Sequence, residues 1–578
     1  MTFLLGSNII SPLGSGTEEN YSAVRSGRSA LKRYEFWHGI PEPITAGLFS
    51  DVQTGELSVP GCTRFESLAV QSVRGALSSA DVPVDVSSPG TVFILSTTKA
   101  DVEEIGTSAY LSPGEAAAKI ASLLGFTTSP IVVCNACISG VTAQLLADRL
   151  LSGGFYDTAV VCGADCQSLF TVAGFLSFKA LSPEPCRPFD MERLGLNLGE
   201  GAATVILRRG IPSDDWDDAA ASRRWCIVSG SLNNDAYQIS APSPSGDGAV
   251  RVISDVIGPD CAEPLSTICL HGTATMFNDQ MESVAVESSG LSDVPVTALK
   301  AYFGHTLGAA GLIETIITAR ALDDGVVPAV RGFEERGVSG KISVSASERP
   351  ARGEEFVKLI SGFGGCNGAL LMKKQVPENE GANRVVRKME LLSSVRISSS
   401  EVFIDGEAVT TQAYGKELLT ELYRTRLGGS PKFFKMDIFS RLVFVAASML
   451  CPDSLHRPAG ECGIILFNRS SSIVADRRHI AAVSDGEGNV TDSANFFPSP
   501  AAFIYTLPNI ALGEVSIRLG FKGESSLYIL PRRDETLMSR IIDATLAHSP
   551  KLNMLITGWA DCADDDNFEA DMKIFKII

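Results

Sequence analysis

The chain has 578 residues, 45% of them hydrophobic and 20% charged, with a formal net charge of −18. That length exceeds one ordinary core, so two or more domains, or one large layered domain plus an extra one, are expected. The acidity argues against wrapping nucleic acid or anionic lipid with the whole surface, and no apolar run is long enough to span a bilayer, since Glu314 and Arg320 interrupt the best candidate.

The thirteen cysteines are scattered, and the first residues lack the basic and apolar regions of a signal peptide. Reduced thiols and a cytoplasmic location are therefore expected. Cys134 and Cys137 form a lone CxxC with no second pair or histidine cluster nearby, so no metal site is expected.

Strand-like runs at residues 92–95, 131–133, 159–162, 203–207, 268–270 and 357–360 alternate with helical patterns at 65–77, 113–124 and 309–322. This alternation predicts an α/β layered fold. A first section spans residues 1–374, a polar linker 375–388, and a second section 389–578.

The second section echoes the first. Residues 439–450 resemble 65–77, 463–467 resemble 91–95, 508–520 match the spacing of 113–125, and 555–562 match 160–166. In this register Arg532 or Arg533 stands where Cys137 stands in the first section. The second section is therefore read as a truncated copy without a nucleophile, expected to be inert.

The most informative stretch is Ile131 to Gly140, where a β-branched run ends in a small-residue turn around Cys137. Residues 141–151 follow with helical spacing. Cys137 at a helix start predicts a dipole-stabilised thiolate with a lowered pKa. Three glycine-flanked motifs follow: His271-Gly-Thr273-Ala-Thr275, Lys300 to Glu314 with Gly304-His305 inside, and Ser361-Gly-Phe363-Gly-Gly-Cys366-Asn367. A cysteine at a helix start with two loop histidines fits nucleophilic acyl transfer.

Taken together and in this order, these motifs resemble the elongating β-ketoacyl-acyl carrier protein synthases, condensing enzymes of thiolase fold. Ser11-Pro-Leu-Gly14, Arg187-Pro-Phe-Asp190 and Gly199-Glu-Gly-Ala202 match as well. The resemblance covers residues 1–374 and implies a layered αβαβα fold, with the second section as an additional α/β half-domain of related topology.

It also implies a decarboxylative Claisen condensation in fatty-acid or polyketide/polyene-type biosynthesis. Cys137 would carry the acyl group. The backbone N–H groups of Cys137 and Phe363 would form an oxyanion hole, and Phe363 would act as a gate. His271 and His305 would donate from Nε2 to the malonyl thioester oxygen. Lys300 would hold His271 and the local field, and Glu314 would support that shell. Thr273 and Thr275 would contact the 4′-phosphopantetheine arm of an acyl carrier protein, with no cofactor bound to the enzyme itself.

The family habit is a homodimer through the strand before the nucleophile, or a ketosynthase-type heterodimer. Acidic carriers dock on basic patches, and Arg424, Arg426, Lys432 and Lys435 are the candidates. The sequence departs from the family at Ile138, at Ser361 and at Met276-Phe277-Asn278, which puts chain length and substrate shape in question. Two alternatives stay open. A chain-length-factor-like partner subunit would lack the nucleophile, and a thiolase would use Cys366 as a second cysteine.

Overall fold

In the computed structural model, residues 1–210, 223–258, 265–375, 386–451, 461–486, 488–493 and 496–578 are described. Most of the expected linker, 376–385, lies outside the described residues. In chain order the main elements are β1 (Thr2–Ile10), α1 (Arg64–Ser79), β2 (Thr91–Ser96), α2 (Pro113–Leu124), β3 (Ile131–Val133), α3 (Ser139–Ser152), β4 (Thr158–Asp165), α4 (Leu169–Ser177), β5 (Gly201–Arg209) and β6 (Arg224–Asn234). Next come α5 (Asp247–Ile257), β7 (Thr267–Cys269), α6 (Met276–Ser288), β8 (Val296–Thr297), α7 (Ala310–Asp323), β9 (Glu355–Gly362) and β10 (Cys366–Gln375). The second section contributes β11 (Met389–Ser398), α8 (Ile438–Leu450), β12 (Cys462–Asn468), α9 (Ile473–Val483), α10 (Ile510–Leu519), β13 (Ser525–Ile529), α11 (Glu535–His548), β14 (Met554–Asp564) and β15 (Asn567–Ile577).

Two sheets form. The long one runs β1–β5–β4–β2–β3–β13–β12–β14–β15–β11. Its strand order reads the same outward from the β3–β13 seam in both directions. The second sheet is β6–β10–β9–β7–β8, and it joins the first where β6 meets β1. Helix α1 covers the outer face of the long sheet, α3 and α7 lie between the sheets, and α5 covers the far face of the second. The first section is thus a five-layered α/β structure.

Local chemistry fixes the element ends. Ser112 and Glu115 form a capping box at α2, with Pro113 in its first turn, and Thr63 with Glu66 does the same for α1. α2 and α10 both stop at a left-handed glycine, Gly125 (φ 87°) and Gly520 (φ 70°). Strands β2, β3 and β4 are buried along their whole length, as sheets covered on both faces require.

The two sections are joined as one body. β3 and β13 pair antiparallel, with Val133 opposite Tyr528 and Val132 opposite Ile529. Buried charges cross the boundary as pairs, Arg149 with Glu524 at 2.8 Å and Lys99 with Asp476 at 2.6 Å. The strand edge expected to serve a homodimer is therefore occupied by the chain's own second section.

Candidate active site

The nucleophile candidate sits on a strained turn. β3 ends at Val133, and Ala136 takes a left-handed φ of 47° just before Cys137. For a non-glycine residue that conformation costs about 1 kcal/mol or more, and the surroundings must enforce it. They do so by hydrogen bonds. Ser139 Oγ donates to the Ala136 carbonyl (2.6 Å) and accepts from the Asn135 N–H (2.8 Å), while Asn135 Oδ1 accepts from the Leu527 N–H (2.8 Å). Two more left-handed non-glycine residues, Ala274 and Leu307, stand next to the histidine motifs.

Side-chain donor atoms of Cys137, His271 and His305 lie within 4.8 Å of one another. The imidazole rings meet edge to face with centroids 5.1 Å apart. His305 Nδ1 accepts the Leu307 N–H at 3.3 Å, which leaves its proton on Nε2, and Nε2 has no partner within the protein. Burial, with Lys300 and Lys358 nearby, holds both histidines well below the ordinary imidazole pKa. They are neutral donors. The same three atoms are the group of potential metal donors among the described residues, one ligand short of a closed structural zinc site.

The expectation of a lowered thiol pKa at Cys137 needs correction. Cys137 lies in a short 3-10 turn, Ala136–Ile138, ahead of α3, and is only 7% exposed. Burial pushes its thiol up to about 12. Lys300 and the N–H groups of Cys137 and Phe363 pull the other way without prevailing.

Behind the histidines lies a buried charge cluster. Lys300 Nζ donates to Glu314 Oε1 at 2.6 Å, and Lys358 reaches Glu314 Oε2 at 2.5 Å. Burial would raise the Glu314 carboxyl, but the two ammonium groups hold it below the usual range. Lys300 acts on His271 through its charge, while the His271 backbone is fixed by Glu282, whose carboxylate accepts the N–H groups of His271 (2.6 Å) and Gly272 (2.8 Å). Asp165 likewise accepts from Gly308 N–H (2.7 Å) and Thr97 Oγ1 (2.7 Å).

Sequence reasoning passed over Lys358, Glu282 and Asp165. The available signal was a lysine inside the apolar run Val357 to Ile360.

A cavity of about 570 Å³ opens onto this cluster. Its wall includes Cys137, His271, His305, Thr273, Thr275, Phe363 and Cys366, so the sequence-derived catalytic and pantetheine-contacting residues share it, except the deeper Lys300 and Glu314. Thr273 and Thr275 hydroxyls lie 2.9 Å apart. Phe363 stacks on Phe175 and packs at a tilt against Phe178. Of the departures noted in sequence, Met276 (58% exposed) and Phe277 (75%) form an apolar rim, Ser361 bonds Asn367, and Ile138 is fully buried. Arg424, Arg426, Lys432 and Lys435 are exposed and are not part of the cavity wall.

Residues 76–211 match the family description "Beta-ketoacyl synthase, N-terminal domain", and residues 225–334 match "Beta-ketoacyl synthase, C-terminal domain". Over these two spans the chain is similar to the beta-ketoacyl synthases. A 3-oxoacyl-[acyl-carrier-protein] synthase 2 of Rhizobium meliloti is 34% identical over 264 residues, covering 42% of this chain and 60% of the relative. A protein of the same description from Vibrio cholerae is 31% identical over 277 residues, covering 45% and 65%. The chain thus spans about three fifths of the length of these curated relatives.

Among solved structures, "the ishigamide ketosynthase/chain length factor" superposes with a TM-score of 0.56 at 26% identity, over 64% of this chain and 98% of that one. "PfaC Keto synthase-Chain length factor" superposes with a TM-score of 0.75 over 100% of this chain and 78% of that one. At 14% identity this second likeness is one of fold alone.

Proposed function

We propose that the chain is a condensing acyltransferase that joins a Cys137-bound acyl group to malonyl-acyl carrier protein, releasing carbon dioxide and a β-ketoacyl carrier. The observation that carries this reading is the convergence of one thiol and two neutral imidazoles in a single cavity. In the first half-reaction the Cys137 sulfur attacks the carrier thioester, its proton passes to the departing pantetheine sulfur, and the acyl group moves to Cys137. The N–H groups of Cys137 and Phe363 stabilise the intermediate oxyanion.

In the second, the bond between the malonyl methylene and its carboxylate breaks. Carbon dioxide leaves and the electron pair forms an enolate, whose oxygen receives hydrogen bonds from His271 and His305. The enolate carbon attacks the acyl carbon, and the Cys137 sulfur leaves as a thiolate and takes up a proton from water. A neutral imidazole suits this role at His305, where Nδ1 accepts the Leu307 N–H and the remaining proton sits on the unpartnered Nε2. Lys300, Glu314, Lys358 and Glu282 position these donors, and Thr273 with Thr275 meets the pantetheine arm.

Residues 1–374 form the catalytic section, and residues 389–578 take the place of a partner subunit without a nucleophile. Arg533, which stands near the position of Cys137, is committed to Glu535 and Asp571. Two observations support that assignment: the outward-mirrored strand order, and the likeness in fold, over the full chain, to a keto synthase-chain length factor. The cations Arg424, Arg426, Lys432 and Lys435 are proposed as a docking site for the acidic carrier. The free thiols at Cys134, Cys137 and Cys366 fit a reducing, cytoplasmic setting. A thiolase role for Cys366 is disfavoured, since its sulfur is engaged as a donor to the Phe363 carbonyl (3.3 Å).

Mass spectrometry after incubation with acyl-carrier protein tests the reading. An acyl mass on the peptide containing Cys137, absent from Cys137→Ala, is expected. An unmodified Cys137 alongside an acyl group on Cys366 would overturn it.

A further inference from the structure

The turn that carries the second oxyanion donor is held from the appended section. Between β9 and β10, the turn Gly362 to Gly365 lies against the nucleophile, and a Cβ on Gly362 would stand 3.4 Å from the Cys137 nitrogen. Most of its anchors come from the first section. Gly364 N–H donates to the Ile239 carbonyl (2.7 Å), Asn234 Nδ2 to the Gly364 carbonyl (2.8 Å), and Asp235 N–H to the Gly365 carbonyl (2.7 Å).

The Phe363 carbonyl accepts from the Cys366 thiol at 3.3 Å and, more closely, from Asn509 Nδ2 at 2.8 Å, at the N-terminus of α10. Asn509 is 4% exposed, its Oδ1 has no protein partner, and its Nδ2 also lies 3.9 Å from Cys366 Sγ, so the carboxamide is oriented through its Nδ2 toward this turn. The contact is intimate, since a Cβ on Gly513 would lie 2.7 Å from the Gly364 carbonyl oxygen. Two sections, not one, therefore shape the turn.

The peptide unit after Phe363 is gripped at both ends, by Asn509 on its carbonyl and by Ile239 on its N–H. That holds the plane of this peptide and so restrains the ψ angle of Phe363, which links it to the direction of the Phe363 N–H and the swing of its ring. The ring rests on Phe175 and Phe178, and these pack in turn on Phe503 of the second section. In the internal register, 508–520 against 113–125, the counterpart of Asn509 is Gly114. Gly114 has no carboxamide and lies against the Leu530–Pro531 backbone. The clamp exists on one side of the seam only, the side with the reactive cysteine.

We propose that Asn509 is a positioning residue for acyl transfer, so that the nucleophile-less section completes the first half-reaction from across the seam. This rests on the condensing reading above. The two half-reactions separate its failure from the failure of that reading. Asn509→Asp keeps the shape but loses the donor and faces a carbonyl with negative charge, and Asn509→Leu removes the donor without charge.

The measurements are the single-turnover rate of acyl transfer from an acyl-pantetheine thioester to Cys137, carbon dioxide release from malonyl-pantetheine by the same preparations, and thermal midpoints. Both variants are expected to slow acyl transfer about tenfold or more while decarboxylation stays within about twofold, because misaiming one oxyanion donor affects only the step that uses it. Acyl transfer within about twofold of the parent, or equal loss of both half-reactions, overturns the proposal. A parent chain that performs neither half-reaction overturns the condensing reading and the clamp with it.

Discussion

At Cys137 two physical effects compete, and burial prevails. A helix start favours a thiolate by roughly 1 kcal/mol. Removing the sulfur from water disfavours it by more, and the thiol is pushed up to about 12. The resting site therefore holds a protonated sulfur beside two neutral imidazoles. Below its pKa the thiolate fraction rises tenfold per pH unit, so alkylation of Cys137 by iodoacetamide should be about a hundred times faster at pH 9 than at pH 7, with no plateau. A plateau reached by pH 8 would show that the dipole outweighs burial after all.

Among elements, the segment between Tyr423 and Lys435 is built as a platform. Tyr423 stacks on Phe433 with centroids 4.0 Å apart, and its hydroxyl both donates to the Ser430 carbonyl and accepts the Ser430 N–H. Four cations project from that frame into solvent, with Arg424 over the exposed Phe434 ring. Reversing charge at Arg424, Arg426, Lys432 and Lys435 should weaken carrier binding about tenfold at low ionic strength, and less as salt is added. Unchanged affinity at both salt levels would remove the docking site.

Other elements show what a sequence can and cannot reveal. Helix α2 is legible to the residue because Ser112, Pro113, Glu115 and Gly125 mark its two ends by local chemistry. Cys137, His271 and His305 are legible because each sits in a glycine-flanked turn of distinctive order. The β3–β13 seam is not, since the bond from Leu527 to Asn135 joins positions 392 apart and no local pattern encodes it. Glu282 and Asn509 act on backbone groups of turns 11 and 146 residues away, which leaves no periodicity or motif to read.

For the whole molecule, the seam turns two sections into one working unit. Removing one partner of a buried pair such as Arg149–Glu524 leaves a charge stranded in low dielectric, so these pairs specify one docking of the two sections. The edge strand beside the nucleophile is covered within the chain, and the appended section reaches the catalytic turn through Asn509. These contacts serve one chemical task, stabilisation of an enolate by two neutral histidines, and decarboxylation reads it out. Carbon dioxide release from malonyl-carrier protein by Cys137→Gln should equal or exceed that of the parent, stay level between pH 6 and 8, and vanish when His305→Ala is added. Loss of release in Cys137→Gln alone, persistence after His305→Ala, or an inflection at the ordinary imidazole pKa would contradict the account.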